Sequence, residues 1–361
     1  MSVRLFPLPV LCSCLLSLSL CGVLLPAVGC SGASDVDAVT LELLKTADAH
    51  MKTKSYAEAA EAYLKAAEAG NARAQDVVGT LYAIGRGVER DMAKAETWWK
   101  RAAEQKNAVA AFNLYRLYGE SNPNEALAWL TKSAEWGDIT AQMTLSVHYY
   151  RGDGVERSLE KCVQWMRRAA EQGDPTAQIN LAECLERGEG CPVNFEEAAA
   201  WYRKAADQGN AEAQNFVGVY YSRGTGLPKD DAEAFGWFLK SAEQGYVDAQ
   251  WNLAACYADG RGTAKNSAEK LRWLEKAAAR KHPRAQEALG TCLLIGEETK
   301  QDLGRAYSLL SAAANHGSAT AQTKMGILCE KLNNPAEAKN WYRQAAAQGE
   351  PTAQTALKRL K

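Results

Sequence analysis

Two Ser-x-x-Lys spacings, Ser158–Lys161 and Ser267–Lys270, come nearest in this chain to a nucleophile beside a general base. A serine one helical turn from a lysine can be activated for acyl transfer, as in penicillin-binding proteins and β-lactamases. The companion Ser-Asp-Asn and Lys-Thr-Gly motifs do not occur in the sequence. Both serines also stand where a helix is expected to start, a place that favours serine because its hydroxyl caps free backbone N–H groups. Of the four histidines, His148 falls where other segments carry Leu81 or Tyr220, His282 at a helix start and His316 in a helix-ending turn. These three read as structural, and His50 has no companion. No His-Glu-x-x-His pair, Walker loop or Gly-x-Ser-x-Gly elbow occurs. The sequence therefore predicts no catalytic residue, no metal site and no cofactor.

Ten cysteines invite a disulfide framework until they are placed. Cys12, Cys14, Cys21 and Cys30 belong to the apolar N-terminus. Cys184, Cys256 and Cys292 share one position of a repeated pattern that elsewhere holds Leu81, Leu117, Tyr220 or Leu328. Cys162 stands where other segments carry Ala95, Ala126 or Ala234. These read as small core hydrophobes. Cys184 and Cys191 are the one pair near enough across a helix turn and loop to be bridged, subject to disulfide geometry.

The pattern behind these placements is a recurring Ala-Gln or Ala-Ala: Ala74, Ala110, Ala141, Ala177, Ala213, Ala249, Ala285, Ala321 and Ala353 each begin one. From Ala141 to Ala321 the interval is a constant 36 residues. A period of this size marks a solenoid, in which each unit buries its apolar face against the next. In residues 210–245, Asn210 is a candidate N-cap, and Ala213, Phe216, Val217 and Tyr220 form the apolar stripe of a first helix (helix A). Gly224 and Gly226 break that helix. Asp230 and Glu233 have the spacing of a capping box. Ala234, Trp237, Phe238 and Ala242 give a second helix (helix B) its buried side, and Gly245 ends it. A helix-B tryptophan recurs as Trp98, Trp129, Trp165, Trp201, Trp237, Trp273 and Trp341. The Gly-x-Gly turns follow helices rather than strands, so they read as loop geometry and not phosphate cradles.

Val78-Gly79, Tyr82, Gly85-x-Gly87-Val88, Asp91, Ala95, Trp98 and Ala102-Ala103 run in an order that resembles Sel1-like repeats, relatives of tetratricopeptide repeats. Gly152-x-Gly154, Gly188-x-Gly190, Gly224-x-Gly226 and Gly260-x-Gly262 repeat the turn, while the second unit lacks it and the seventh and eighth have degenerate loops. The resemblance implies an all-α fold, a right-handed α/α solenoid of about nine hairpins. The expected organisation is an export segment at 1–29, a short linker at 30–35, a first hairpin at 36–70 with Ser55–Glu58 as a capping box, repeats at 71–350, and a capping helix at 351–361. Some cysteine-rich Sel1-like proteins bind or slowly hydrolyse β-lactams, which makes weak hydrolase activity on cell-wall compounds the alternative. Those proteins carry a regular cysteine pair per repeat that this chain lacks.

Residues 1–30 combine Arg4, an apolar run from Leu5 to Leu25 and Ala27-Val28-Gly29-Cys30. The stretch resembles a bacterial lipobox, with Cys30 as the lipidated residue. Ala27 departs from the usual leucine, and cleavage by ordinary signal peptidase or an uncleaved anchor remain alternatives. The expectation is an exported, envelope-located lipoprotein attached to the membrane by its N-terminus. A formal net charge of −1, with 24% charged residues, provides no basic surplus for nucleic acid. By resemblance to tetratricopeptide repeats, helix A lines a concave groove that takes a protein or peptide. The predicted wall residues are Asp76, Phe112, Arg116, Met143, Tyr150, Glu183, Asn215 and Trp251.

Overall fold

The computed structural model describes residues 35–360. The export segment and Cys30 lie outside them. The described residues form nineteen α-helices and no strands. In chain order these are α1 Asp35–Lys52, α2 Tyr56–Glu68, α3 Ala72–Ile84, α4 Met92–Glu104, α5 Ala108–Tyr118, α6 Pro123–Glu135, α7 Ile139–Arg151, α8 Leu159–Glu171, α9 Pro175–Arg187, α10 Phe195–Asp207, α11 Ala211–Arg223, α12 Asp231–Glu243, α13 Val247–Asp259, α14 Ser267–Ala279, α15 Pro283–Ile295, α16 Leu303–Asn315, α17 Ala319–Lys331, α18 Pro335–Ala347 and α19 Pro351–Arg359. They fall into two compact units, one ending at Arg90 and one beginning at Asp91.

In the first unit α1 pairs with α2, and α3 packs on α2. The Tyr63 hydroxyl donates to Asp48, which also receives Arg73 Nη2 at 3.0 and 3.1 Å. In the second unit hairpins run α5/α6 through α17/α18, each helix packing on the ones before and after it, and α19 lies on α18.

Local chemistry sets the boundaries. Asn107, Asp138, Asp174, Asn210 and Ser318 each accept the N–H of the residue three positions on, at 2.9, 2.6, 2.7, 3.0 and 3.1 Å. Three expectations about helix starts need correction. Ser55 makes no side-chain cap bond and instead shares a 3.2 Å contact with Thr53. Asp230 caps α12, but Glu233 accepts from Trp237 Nε1 at 3.2 Å instead of completing a box. The α14 cap is Asn266 and not Ser267, whereas Ser158 does cap α8.

The alanine of each Ala-Gln is fully buried, as at Ala141, Ala177, Ala213 and Ala249. Except at Gln354 near the C-terminus, the glutamine after it is buried too, and it is a clamp. Its Nε2 donates back to the last turn of the preceding B helix: Gln142 to Ala134 O at 3.0 Å, Gln178 to Ala170 O at 3.1 Å and Gln214 to Ala206 O at 3.3 Å. Those carbonyls already accept from the glycine that ends the helix, so the amide takes the second lone pair. Its Oε1 accepts from a glutamine at the C-terminus of its own unit's B helix: Gln172 to Gln142 and Gln208 to Gln178 at 2.9 Å, Gln244 to Gln214 and Gln348 to Gln322 at 2.8 Å. Where that glutamine is replaced by Arg280 or His316, the buried Oε1 of Gln250 and of Gln286 has no hydrogen-bond partner.

Tryptophans cover the B helices. Lys132, Arg168, Lys204, Lys240 and Lys276, three residues after each tryptophan, lie over its ring at 4.1, 4.5, 3.6, 4.1 and 3.9 Å, in cation–π geometry. The second glycine of the turn has a separate task. A Cβ on Gly226 would fall 2.2 Å from Phe195 O at the start of the previous B helix, and its φ is +66°. Gly209, at φ +90°, faces open space.

Two outcomes follow for urea unfolding of the full chain. Gln178→Leu removes both clamp bonds and lowers stability by about 1–3 kcal/mol, while Arg280→Gln supplies Gln250 with its missing donor and raises it by about 1 kcal/mol. Gly226→Ala adds a backbone clash to the φ cost and destabilises by about 3 kcal/mol or more, whereas Gly209→Ala bears only the left-handed cost of about 1 kcal/mol. Equal losses for the two alanines would refute the close-approach role of Gly226.

Candidate partner-binding face

Helix A offers a partner whatever its packing leaves open. In the second unit, the row two residues after each clamp alanine is largely used up between neighbouring units. Ile179, Asn215 and Thr323 are buried. Asn215 Oδ1 accepts from Asn252 Nδ2 of the next A helix at 2.9 Å. The expectation that Asn215 lies on an open wall is therefore corrected: it is a contact between units. Phe112 is half-buried against Tyr115, ring centroids 5.5 Å apart, beside the buried Leu130 and Leu145. Trp251 stacks on His282 at 5.7 Å, and His282 Nδ1 accepts the Ala285 N–H to cap α15. These two aromatics, expected on the wall, pack instead against ring neighbours. Met143 is partly buried.

Glu287, in the same row, accepts from Ser318 at 2.8 Å, Thr320 at 2.7 Å and Lys324 at 2.9 Å. Burial works against its charge, but hydrogen bonds from Lys324, Thr320 and Ser318 outweigh that, and the carboxyl titrates below its ordinary range. This contact is present above the ordinary carboxylate pKa and is lost as pH falls through the lowered one.

The row six residues after the alanine stays more open. Arg116 and Ile327 are exposed, and Val147, Glu183, Val219, Ala255 and Thr291 are partly so. One turn further on, Arg151, Arg187 and Arg223 are exposed at the ends of α7, α9 and α11. Of the predicted residues in this unit, Arg116 and Glu183 belong to this face, with Glu183 3.8 Å from Arg187. Tyr150 lies beside it, partly buried, with the Arg157 guanidinium 5.9 Å from its ring centre. Asp76 belongs to the first unit and is partly buried. The arginines were absent from the sequence reading because they end their helices. Their i+4 spacing from Val147, Glu183 and Val219 and their 36-residue recurrence are the signal that identifies them.

Groups suited to chemistry are committed elsewhere. Glu186 accepts from Tyr202 at 3.0 Å and from Tyr220 at 2.6 Å. Burial and the nearby carboxylate push both phenols up. His148 bridges Asp153 O and the Tyr115 hydroxyl. Cys184 and Cys191 are free thiols, and Cys191 donates to Glu189 O. Among the described residues no group of three or more His, Cys, Asp or Glu side chains can hold a metal ion.

Known proteins share this arrangement. The Sel1 repeat matches residues 72–107, 107–138, 139–174, 175–210, 211–246, 247–282, 283–318 and 319–350. The crystal structure of c5321, a protective antigen present in uropathogenic Escherichia coli strains and displaying an SLR fold, is similar at TM-score 0.76 and 30% identity, covering 90% of this chain and 74% of that one. A Sel1 repeat protein from Oxalobacter formigenes is similar at TM-score 0.65 and 28% identity, covering 94% and 98%. An F-box protein of Arabidopsis thaliana is 36% identical over 102 residues, 27% of this chain and 28% of that protein. The chitin synthase regulator SKT5 of Saccharomyces cerevisiae is 29% identical over 110 residues, 28% of this chain and 16% of that protein. This chain thus spans under a third of either curated relative. Repeat period, hairpin packing and eight consecutive matches agree: the chain belongs to the Sel1 repeat family.

Proposed function

We propose that this protein is a non-enzymatic scaffold of the bacterial cell envelope that holds a protein or peptide partner along the open face of its A helices. The observation that carries this reading is the row from Arg116 through Val147, Glu183 and Val219 with Arg151, Arg187 and Arg223 beside it. The row recurs from unit to unit at positions that keep some exposure, with Val219 also resting on the core. Small apolar side chains next to arginines suit an extended polypeptide bearing carboxylates. Repeat stacks of this kind serve as scaffolds for protein interaction.

The envelope location rests on residues 1–30, with Cys30 as the lipid attachment. The likeness to c5321, described as a protective antigen, agrees with an exported protein. No helix among the described residues is long and apolar enough to cross a membrane, so membrane attachment in this reading is N-terminal. The two Ser-x-x-Lys serines have structural partners, Ser158 as the cap of α8 and Ser267 as a donor to Glu298, and lend the hydrolase alternative no support.

Charge reversal tests the face. Arg151→Glu combined with Arg223→Glu is expected to cut capture of native envelope proteins by about tenfold or more, with the loss largest at low salt. Unfolding is expected to be unchanged, because both side chains are exposed. Equal capture by wild type and variant would remove the face. Palmitate incorporation that survives Cys30→Ala would remove the anchor.

A further inference from the structure

Helix α14 breaks the repeat pattern in one place, and the loop after α15 breaks it in the facing place. Lys270 stands where the B helices α4 to α18 otherwise carry Ala95, Ala126, Cys162, Ala198, Ala234, Ala306 or Ala338, none more than 2% exposed. Glu298 stands at the second turn glycine, the position of Gly190, Gly226 and Gly262. In those units the glycine abuts backbone at the start of the preceding B helix. Here the two departures carry opposite charges and meet. Lys270 Nζ pairs with Glu298 Oε2, and Ser267 Oγ donates to Oε1 at 3.3 Å. Cys292, on the last turns of α15, donates from Sγ to the same Oε2 at 3.4 Å. Amine and thiol are thus held together on one carboxylate oxygen.

The setting is accessible. The Lys270 and Glu298 side chains retain 18% and 32% of their exposure, and Cys292 is only partly buried. Cys162 and Cys184 occupy the equivalent pair of positions three units earlier, and both are buried.

We propose that Lys270 and Cys292 form a reversible covalent cross-link, a sulfenamide between Nζ and Sγ, when the protein meets a peroxide. Sulfenic acids condense with nearby nitrogen in this way. In the first step Sγ attacks the peroxide, the O–O bond breaks, an S–O bond forms, and one water leaves with the thiol proton relayed through Glu298. In the second step Lys270 gives a proton to Glu298, and its lone pair attacks sulfur. The N–S bond forms, the S–O bond breaks, the departing hydroxide takes up the proton from Glu298, and the nitrogen releases its second proton to solvent. One thiol, one ammonium and one hydrogen peroxide become one sulfenamide, two waters and one proton. Sulfur loses two electrons and the peroxide gains them. A dithiol reverses the bond by attack at sulfur. The link fastens α14 to α15 across the boundary between two hairpins, with Glu298 as the positioning residue.

Hydrogen peroxide treatment of the full chain, followed by proteolysis and mass mapping, tests this. The expected product is a joined pair of peptides containing Lys270 and Cys292, two hydrogens lighter than their sum and separated by dithiothreitol. Lys270→Arg keeps the charge opposite Glu298 but has no amine to deprotonate, so Cys292 is expected to oxidise without joining. Glu298→Gln is expected to slow joining by about tenfold or more through loss of the proton acceptor. Oxidation of wild-type Cys292 to sulfinic acid, its pairing with another thiol, or a joined product that retains oxygen would overturn the proposal. So would joining at an undiminished rate in Glu298→Gln.

Discussion

A buried glutamine amide near the start of most A helices ties three helices together. Its N–H reaches a carbonyl in the last turn of the preceding B helix, and its C=O receives the amide that ends its own unit's B helix. An amide shut away from water costs free energy at any end left unpaired. A unit that pairs both ends of its glutamine therefore holds the next B-helix end at one distance and one angle. A run of like placements is what allows one hairpin to stack on another so that the buried cluster continues from hairpin to hairpin. The alanine beside it, with nothing beyond Cβ, lets the helices come close enough for the amide to reach.

That constraint also decides what remains for a partner. With the clamp fixing how neighbouring A helices approach, the row next to it falls into the gap between units. Asn215 finds Asn252 there, Trp251 finds His282, and Glu287 finds Ser318, Thr320 and Lys324. The row one turn onward, with Arg116 and Glu183, lies outside the gap and ends in Arg151, Arg187 and Arg223. Periodicity alone placed both rows on helix A. It did not separate the row facing the next helix from the row facing solvent, because a polar residue can be satisfied across an interface as well as by water.

Departures from the repeat are as informative as its persistence. Arg280 and His316 interrupt the glutamine ladder and strand one acceptor each. Lys270 and Glu298 replace a buried small residue and a close-approach glycine, and each charge is answered by the other. The tools of the repeat can thus be exchanged in pairs without losing the stack, because the contacts between hairpins are nearly independent from one boundary to the next.

Much of this was written in the residue order. The 36-residue recurrence, the Asn and Asp starts, the glycine stops and the helix-B tryptophans each have a local cause, since capping, helix breaking and amphipathic spacing act within one turn or one helix. They determined the all-helical repeat, the family and the small-residue reading of Cys162, Cys184 and Cys256 without reference to any distant residue. The tertiary structure alone decided the double role of the glutamine, the burial of Asn215, the diversion of Glu233 to Trp237, and the meeting of Ser267, Lys270, Cys292 and Glu298. Apart from Glu233 and Trp237, one turn apart on α12, each of these depends on which atoms from different helices and loops come within hydrogen-bond reach. That distance is fixed by the stacking of helices, which no local sequence signal contains.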